Sequence, residues 1–416
     1  MYSKVSAQNV DALNTYSPYS MYGIGDISTL GTSINAGMGG IGIGVRDNKY
    51  INMVNPASIT ARDSLAFMFD IGMNGKNLYA SSNNTSSPYN TFSLNNIMMT
   101  FPLYKNSAFI IGITPLSSTG YKFKNAETNP ILLSNFGDIE YETYGEGSLY
   151  NLFLGVAANV TKDLSLAVQG EYYFGSIDQH SDILFNSSSV NRNILTGWDY
   201  QLHGMSAKLG LQYEKELSKT KGIVLGATYR FGTNLSGHIK RYNFSETSSG
   251  TTDTLVFNEN SNPSIKVASQ LGLGASYRVY NKFMIGGDYL YSNWNGDDFP
   301  VYPEIDYNIS NSHSFKLGLE YTPNKYDIRY YSKRVTYRMG AYFDKSYLTI
   351  KNQNINSFGL TFGTSLPINK YYNAVSFSID LGQRGLRTDD LIRERYIKFK
   401  INVNLYDIWF LKYKYE

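Results

Sequence analysis

The sequence predicts an all-β protein, a transmembrane antiparallel β-barrel of about 14 strands with an N-terminal plug (hatch) in its lumen. Three observations lead to this fold class. From residue 63 onward, apolar and polar residues alternate, as they do in strands that turn one row to lipid and the next to the lumen. The connections alternate between short turns and long polar segments, and a glycine-dense stretch precedes the first strand.

The composition supports a barrel over the alternatives. The 416 residues include 37 Tyr and 22 Phe, and aromatic side chains favour strands and membrane interfaces. The mean hydropathy is −0.30, and no apolar run approaches the roughly 18 residues that a spanning helix needs, which excludes a helical membrane protein. A soluble β-sandwich would also alternate, but its turns would be of more even length.

The sequence contains no group of residues that predicts catalysis or metal binding. The chain has no cysteine, and its 4 histidines show no ligand spacing. We therefore expect no enzyme activity, no metal and no cofactor. The net charge of +3 is small and scattered, so no nucleic acid is expected as a partner. Ser6-Ala7-Gln8 resembles the small-residue end of a signal peptide.

Fourteen segments can be assigned as strands, and their connections give the topology. A typical strand alternates Leu271, Leu273 and Ala275 with Gly272 and Gly274. Short turns are expected near residues 104–106, 161–163, 218–220, 280–282 and 369–370. Long loops are expected near residues 78–88, 119–140, 178–195, 240–262, 293–311, 345–353 and 383–394. Because barrels of this kind have short periplasmic turns and long extracellular loops, both termini are predicted to be periplasmic.

Residues 36–60 are predicted to fill the lumen. They contain Gly37, Gly39, Gly40, Gly42 and Gly44, then Arg46 and Asp47, and they end in Asn55, Pro56 and Ala57. Glycines at this density disfavour a helix or strand but permit a close approach to a surrounding wall. The charged pair could anchor the plug to polar lumen residues. We therefore divide the chain into a hatch segment (1–62), a barrel (63–406) and an aromatic, basic tail on the periplasmic side (407–416).

The order of a glycine-rich segment, Asn55-Pro56-Ala57 and then barrel strands resembles the FadL-type family of outer-membrane transport proteins, of the kind found in Bacteroidota. The resemblance implies fourteen strands, an N-terminal hatch and a lateral opening at the third strand. That strand carries the interruption predicted for such an opening, which comprises Gly112, Pro115, Leu116, Ser117 and Gly120. Proline lacks the N–H that a barrel ladder requires, so the ladder must break or bulge there. Alternatively, Pro115 marks only the extracellular end of the strand.

The resemblance implies passive uptake of hydrophobic, fatty-acid-like molecules in the bacterial outer membrane, with capture at the extracellular loops and release through a hatch or lateral opening. The apolar loop clusters that could bind such a ligand are Ile131, Leu132, Leu133 and Phe136, with Ile183, Leu184 and Phe185. The expected surroundings are outer-membrane lipid and lipopolysaccharide. The alternative is a non-transporting barrel subunit of a larger outer-membrane complex, such as the barrel assembly machinery or a secretion system, with other outer-membrane proteins or lipoproteins as partners.

Overall fold

The fold is taken from a computed structural model. The structure describes residues 15–63, 65–82, 86–104, 106–186, 191–247, 251–260, 265–294, 307–369, 373–387 and 391–409. Most of the predicted tail, residues 410–416, lies outside the described residues. Among the described residues, no helix has the length and apolar character needed to cross a membrane.

Strands dominate the structure. They are β1 (Asp26–Ile27), β2 (Ala66–Ser81), β3 (Ser86–Tyr104), β4 (Ser107–Ala126), β5 (Ile139–Asn159), β6 (Leu164–Phe185), β7 (Asn193–Ser218), β8 (Lys221–Arg230), β9 (Thr233–Glu246), β10 (Thr252–Asn260), β11 (Ile265–Val267), β12 (Ser269–Val279), β13 (Phe283–Asn293), β14 (Tyr307–Ile309), β15 (Ser312–Tyr321), β16 (Thr336–Ile350), β17 (Gln353–Asn369), β18 (Asn373–Arg384) and β19 (Arg393–Ile408). The α-helices are α1 (Ser33–Ala36), α2 (Pro130–Phe136) and α3 (Tyr331–Arg334), and two 3₁₀ helices cover Pro18–Met21 and Pro56–Ala61.

The sheet closes on itself as a fourteen-stranded antiparallel barrel. The last strand, β19, pairs with the first barrel strand, β2, with Ile401 opposite Met73. Three barrel strands are interrupted: β8 and β9 form one, β10 to β12 form another, and β14 with β15 form a third. The predicted fold class is therefore confirmed, including the strand count and the plug in the lumen.

The two faces of the wall follow the predicted alternation. Apolar residues such as Leu154 and Leu317 are exposed on the outer face, where lipid would cover them. Polar residues such as Asp70 and Lys208 are buried on the inner face, against the plug. Because pleated strands turn successive side chains to opposite faces, the pattern read from the sequence fixes which residues line the lumen.

The hairpins at one end are longer than predicted. Residues 119–140 are not a loop throughout, because β4 continues to Ala126, α2 follows, and β5 begins at Ile139. From residue 122 onward the side chains of this hairpin are mostly exposed, so strand pairing continues there without apolar alternation. The Ser, Thr and Asn content of these segments therefore indicated exposure and not the end of a strand. We call the end of the barrel that carries these long hairpins the hairpin end, and we call the opposite end the short-turn end.

Candidate functional site

Of the predicted hatch segment 1–62, residues 30–62 fill the lumen, and we call these residues the hatch. Met38, Ile41 and Ile43 have no exposed surface. Thr32 caps α1, and its backbone N–H donates to the Asn35 side chain in a capping box, which closes this one-turn helix on itself. The hatch therefore has its own local structure and its own apolar centre.

The glycines of the hatch allow its backbone to touch the wall. Gly39 has a φ of +69° and its N–H donates to the Thr361 hydroxyl at 2.8 Å. A Cβ atom at Gly39 would lie 2.6 Å from the carbonyl oxygen of Ala341, and one at Gly44 would lie 2.7 Å from the backbone nitrogen of Ala275. A Cβ atom at Gly37 would lie 2.9 Å from the Cα atom of Gly363. Gly40 adopts a φ of +85°. Side chains at these positions would hold the hatch away from the wall.

A carboxylate of the wall binds the hatch loop directly. The N–H groups of Gly42 and Ile43 donate to Asp288 at 2.6 and 2.8 Å. The Ser276 hydroxyl donates to the carbonyl oxygen of Gly44 at 2.6 Å. Because these backbone groups are buried, each would cost free energy if left without a partner, so the loop conformation is fixed by the wall.

The wall presents its own glycines to the hatch, a feature that the sequence reasoning missed. We call this set the glycine girdle; it consists of Gly226, Gly274, Gly286, Gly318, Gly340 and Gly363. Adjacent strands place Gly226 opposite Gly274, and Gly318 opposite Gly340. A Cβ at Gly226 would lie 2.0 Å from the Ile43 carbonyl oxygen. The available signal was a glycine recurring at inward positions on successive strands.

Arg46 and Asp47 both form ion pairs with the wall. The Nε atom of Arg46 donates to Glu214 at 2.9 Å, and its Nη1 donates to the Ala57 carbonyl oxygen at 3.3 Å. Asp47 lies 3.4 Å from the Arg278 guanidinium. Both pairs are largely buried. The charged residues that the sequence suggested as anchors therefore contact partners on β7 and β12.

The Asn-Pro-Ala motif makes a tight turn against β7. The Asn55 side chain accepts from the Ala57 N–H at 3.1 Å and donates to the carbonyl oxygens of Ile43 and Leu211 at 2.9 and 3.0 Å. Pro56 opens the 3₁₀ helix, where a missing N–H carries no cost. One asparagine thus joins two parts of the hatch to the wall.

The ladder between β3 and β4 covers only part of their length. Its described pairs run from Tyr104 opposite Ser107 to Ile97 opposite Ile113. Beyond that pair β4 continues to Ala126, and its register with β5 shifts between Pro115 and Ser117. The alternative that Pro115 only ends the strand is therefore wrong. The wall has a gap between β3 and β4 toward the hairpin end.

The N-terminal strap, residues 15–28, occupies this gap. Asp26 and Ile27 pair with β4 as the short strand β1. The Ser17 N–H donates to the Gly120 carbonyl oxygen at 2.8 Å, and the Ser28 N–H donates to the Leu116 carbonyl oxygen at 2.9 Å. The strap thus supplies β4 with the hydrogen-bond partner that β3 does not provide.

Close contacts hold the strap on both sides of the gap. A Cβ at Gly120 would lie 1.8 Å from the Thr15 carbonyl oxygen, so only glycine permits this approach. Gly112, lower on β4, faces Met98 of β3, and Ser117 is buried beneath β1. On the β3 side, the Tyr16 ring stacks on Tyr89 with centroids 3.4 Å apart.

Charged groups also bind the strap. Asp26 lies 2.8 Å from the Arg384 guanidinium and 3.6 Å from the Lys76 ammonium group. The Ser17 hydroxyl donates to Glu394, which has no exposed surface. Removing one partner of a buried ion pair leaves an uncompensated charge and costs about 3–5 kcal/mol. The strap is therefore an integrated part of the wall.

Above the hatch, the lumen toward the hairpin end contains an apolar cluster. Tyr19 and Ile24 of the strap pack into its centre. The wall contributes Leu116, Leu149, Tyr173, Ile177, Tyr200, Leu202, Leu235, Ile239, Ile265, Val267, Ala268, Trp294, Tyr347, Leu348, Ile350, Ile355 and Leu391. Side chains of the protein therefore fill the apolar space at this level. The cluster was not predicted from the sequence, although Tyr173 and Tyr200 at inward positions were a signal for it.

The loop residues proposed as a ligand site lie elsewhere. None of the residues of α2 is buried, and Ile131 is 69% exposed. Phe136 and Phe185 approach each other with ring centroids 6.2 Å apart. Ile183 and Leu184 lie on β6, while Leu132 and Leu133 remain on the short helix. Ligand binding by this group stays a prediction.

The barrel, the hatch and the gap at the third barrel strand together give the chain the fold of FadL-type outer-membrane barrels, with a plugged lumen. The toluene transporter TodX of Pseudomonas putida has the same fold, with a TM-score of 0.62, 15% identity and coverage of 92% of this chain and 99% of that one. The toluene transporter TbuX of Ralstonia pickettii has a TM-score of 0.58 and 15% identity, with coverage of 90% of this chain and 98% of that one. A FadL homologue of Pseudomonas aeruginosa has a TM-score of 0.58 and 10% identity, with coverage of 92% of this chain and 99% of that one.

A family model named BamG matches residues 1–416, and the chain belongs to the BamG family. No curated protein matches the chain. The resemblance to FadL-type proteins is confirmed, and these structural neighbours are transport channels and not enzymes.

Proposed function

We propose that this protein is a non-transporting barrel subunit of a larger outer-membrane complex, in the class to which the barrel assembly machinery belongs. The observation that carries the proposal is the strap, which fills the gap between β3 and β4 with its own backbone and side chains. The gap is the place where a FadL-type channel would release an apolar ligand sideways. Membership of the BamG family supports the same proposal.

The energetics of the strap argue against its displacement by an apolar ligand. To leave the gap, the strap must break the Asp26 ion pairs with Arg384 and Lys76 and give up several backbone hydrogen bonds. A hydrocarbon offers no polar group to replace them, and an unpaired backbone group facing lipid costs several kcal/mol. A permanently closed wall suits a scaffold.

The hairpins offer surfaces for partners. Every residue of β10 is exposed, and Leu255, Val256 and Phe257 form an exposed apolar run on it. Exposed apolar residues on a hairpin beyond the membrane are typical of contact surfaces. In the proposed orientation the hairpin end, toward which Thr15 and Ser17 of the strap lie beside Gly120, is extracellular, and the short-turn end, where β19 ends, is periplasmic.

A disulfide between the strap and β4 tests the role of the gap. Ile27 and Ser117 are direct partners in an antiparallel pair, at a separation that a disulfide can span. The Ile27→Cys, Ser117→Cys protein, which has no other cysteine, should support growth equally when oxidised and when reduced. The assay is complementation of the deletion strain with and without reductant, and the reduced protein is its own control.

The complex itself should be found by purification from native outer membranes in a mild detergent. Partners should be retained by the wild type and lost when Leu255 and Phe257 are both changed to Asp. Ile131→Asp, at another exposed apolar position on a different hairpin, is the matched control and should retain them. A wild-type protein that purifies alone would contradict the subunit proposal.

A hydrophobic channel is the second candidate, and a specific observation favours it. The described β3–β4 ladder ends at Ile97, and the apolar cluster in the lumen borders the same region. In that case the strap would be a gate, and the fatty-acid-like ligand and hatch release inferred from the sequence would apply. Oxidising the Ile27→Cys, Ser117→Cys protein would then abolish uptake of a labelled hydrocarbon, and reduction would restore it.

A further inference from the structure

A small cavity opens at the short-turn end of the barrel, below α1. Its volume is about 50 Å³. The hatch contributes Lys49 and Tyr50, the connection between β15 and β16 contributes Lys325 and Arg334, and the wall contributes Thr322 and Thr336. Because one water molecule needs roughly 10–15 Å³ on this measure, the cavity accommodates a few waters or one small polyatomic ion.

The charges around the cavity are not balanced internally. Its two carboxylates have partners, since Glu320 lies 2.8 Å from Arg338 and Asp47 lies 3.4 Å from Arg278. The lining carries four cationic side chains, Lys49, Lys325, Arg334 and Arg338, against two carboxylates, Asp47 and Glu320, so its formal charge is positive. Burial lowers the pKa of the Lys325 ammonium group to about 8, and the neighbouring Lys49 lowers it as well. Two like charges held this close favour a bound anion.

Two of the lining residues carry buried donors. The Tyr50 hydroxyl is buried and has no hydrogen-bond partner among the described residues, and the same holds for the Nε atom of Arg334. Tyr50 is only 6% exposed. Buried polar groups in native proteins are almost always satisfied, so these two donors indicate a ligand that accepts hydrogen bonds. The hydroxyls of Thr322 and Thr336 lie 2.9 Å apart beside them.

We propose that this cavity binds a phosphate group, held by Lys49, Lys325 and Arg334 and oriented by Tyr50. Ammonium and guanidinium groups with a phenol supply several donors around one centre, which suits a tetrahedral oxyanion. The phosphate could be inorganic or could belong to a phospholipid head group, because the short-turn end lies beside the inner leaflet in the orientation proposed above. The binding site does not depend on whether the barrel is a scaffold or a channel.

The test uses the full chain in maltoside detergent and phosphate-free buffer. Inorganic phosphate is titrated by isothermal calorimetry, and phosphatidylglycerol retention is measured by native mass spectrometry. Tyr50→Phe with Arg334→Gln should weaken binding of the probe at least tenfold, about 1.4 kcal/mol, with unchanged heat-modifiable mobility. Lys333→Gln is the matched control, because Lys333 lies on the same connection but pairs with Asp327 at 3.5 Å, outside the cavity.

Each outcome bears on the proposal. Binding of inorganic phosphate that is lost in the double variant supports a free-phosphate site, and loss of phosphatidylglycerol retention alone supports a head-group site. Lys325→Gln gives a second variant if the double variant fails to fold, and it too should weaken binding. If the wild type binds neither probe, or if the variants and Lys333→Gln bind equally, the proposal is overturned. Neither result alters the growth or purification outcomes that test the proposed function.

Discussion

The glycine girdle makes a sharp prediction about how the hatch is seated. In Gly340→Ala, the new Cβ would lie 2.1 Å from the backbone nitrogen of Gly39 and 2.2 Å from the carbonyl carbon of Met38. Both obstacles are backbone atoms, so rotating a side chain cannot relieve the clash. The hatch must move, and the hydrogen bond from Gly39 to Thr361 is then lost.

The expected cost follows from these contacts. Overpacking of this kind costs about 1–3 kcal/mol, and the lost hydrogen bond adds about 1 kcal/mol. A penalty of about 3 kcal/mol shifts the equilibrium between seated and displaced hatch roughly 100-fold. Gly226→Ala, where the Cβ would lie 2.0 Å from the Ile43 carbonyl oxygen, should act in the same direction.

Single-channel conductance in planar bilayers and the thermal midpoint measure these effects. Gly340→Ala should open more often and melt earlier than the wild type, while the barrel still shows heat-modifiable mobility. Gly170→Ala is the matched control, because a Cβ there meets no atom closer than 3.9 Å; it should be neutral or slightly stabilising. If Gly340→Ala and Gly170→Ala behave alike, the argument that the two backbones touch is refuted.

Three further predictions concern the plug, the strap and the topology. Deleting residues 36–58 should raise conductance from near closed to that of a wide pore in planar bilayers, and unchanged conductance would show that the hatch does not block the lumen. Gly120→Ala should expel the strap, because its Cβ would overlap the Thr15 carbonyl oxygen, and limited proteolysis should then cut the N-terminus faster than in the Gly75→Ala control, where the nearest atom is 3.8 Å away. On intact cells an impermeant thiol reagent should label Leu255→Cys but not Lys219→Cys, and labelling of Lys219→Cys would reverse the proposed orientation.

Much of the barrel could be predicted from the sequence because the signal is local. A strand in a barrel wall meets lipid on one side and the plug on the other, so each turns alternate residues to opposite surroundings. Leu271, Leu273 and their neighbours carry that pattern without reference to the rest of the chain. The glycine-dense stretch and the Asn55-Pro56-Ala57 turn were equally visible, because glycine and proline restrict or free the backbone wherever they occur.

The sequence led to wrong strand ends where the two faces of a strand no longer have different surroundings. In the hairpins beyond the membrane, residues 122–126 remain paired although they are mostly polar and exposed, since water around the hairpin removes the pattern but leaves the ladder intact. Pro115 signalled an irregularity correctly, and the register shift beside it is the result. Its position in the chain did not reveal what fills the gap.

By itself the sequence determined the class of fold, the number of strands, the faces of the wall and the presence of a plug. Only the tertiary structure decided which residues meet. The strap pairs with β4, the glycine girdle contacts the hatch, and Lys49 lies beside Lys325. These contacts join residues far apart in the chain, such as Asp26 and Arg384. Closing the barrel brings them together, and their partners depend on the register and curvature of the whole wall, which no local pattern of residues encodes.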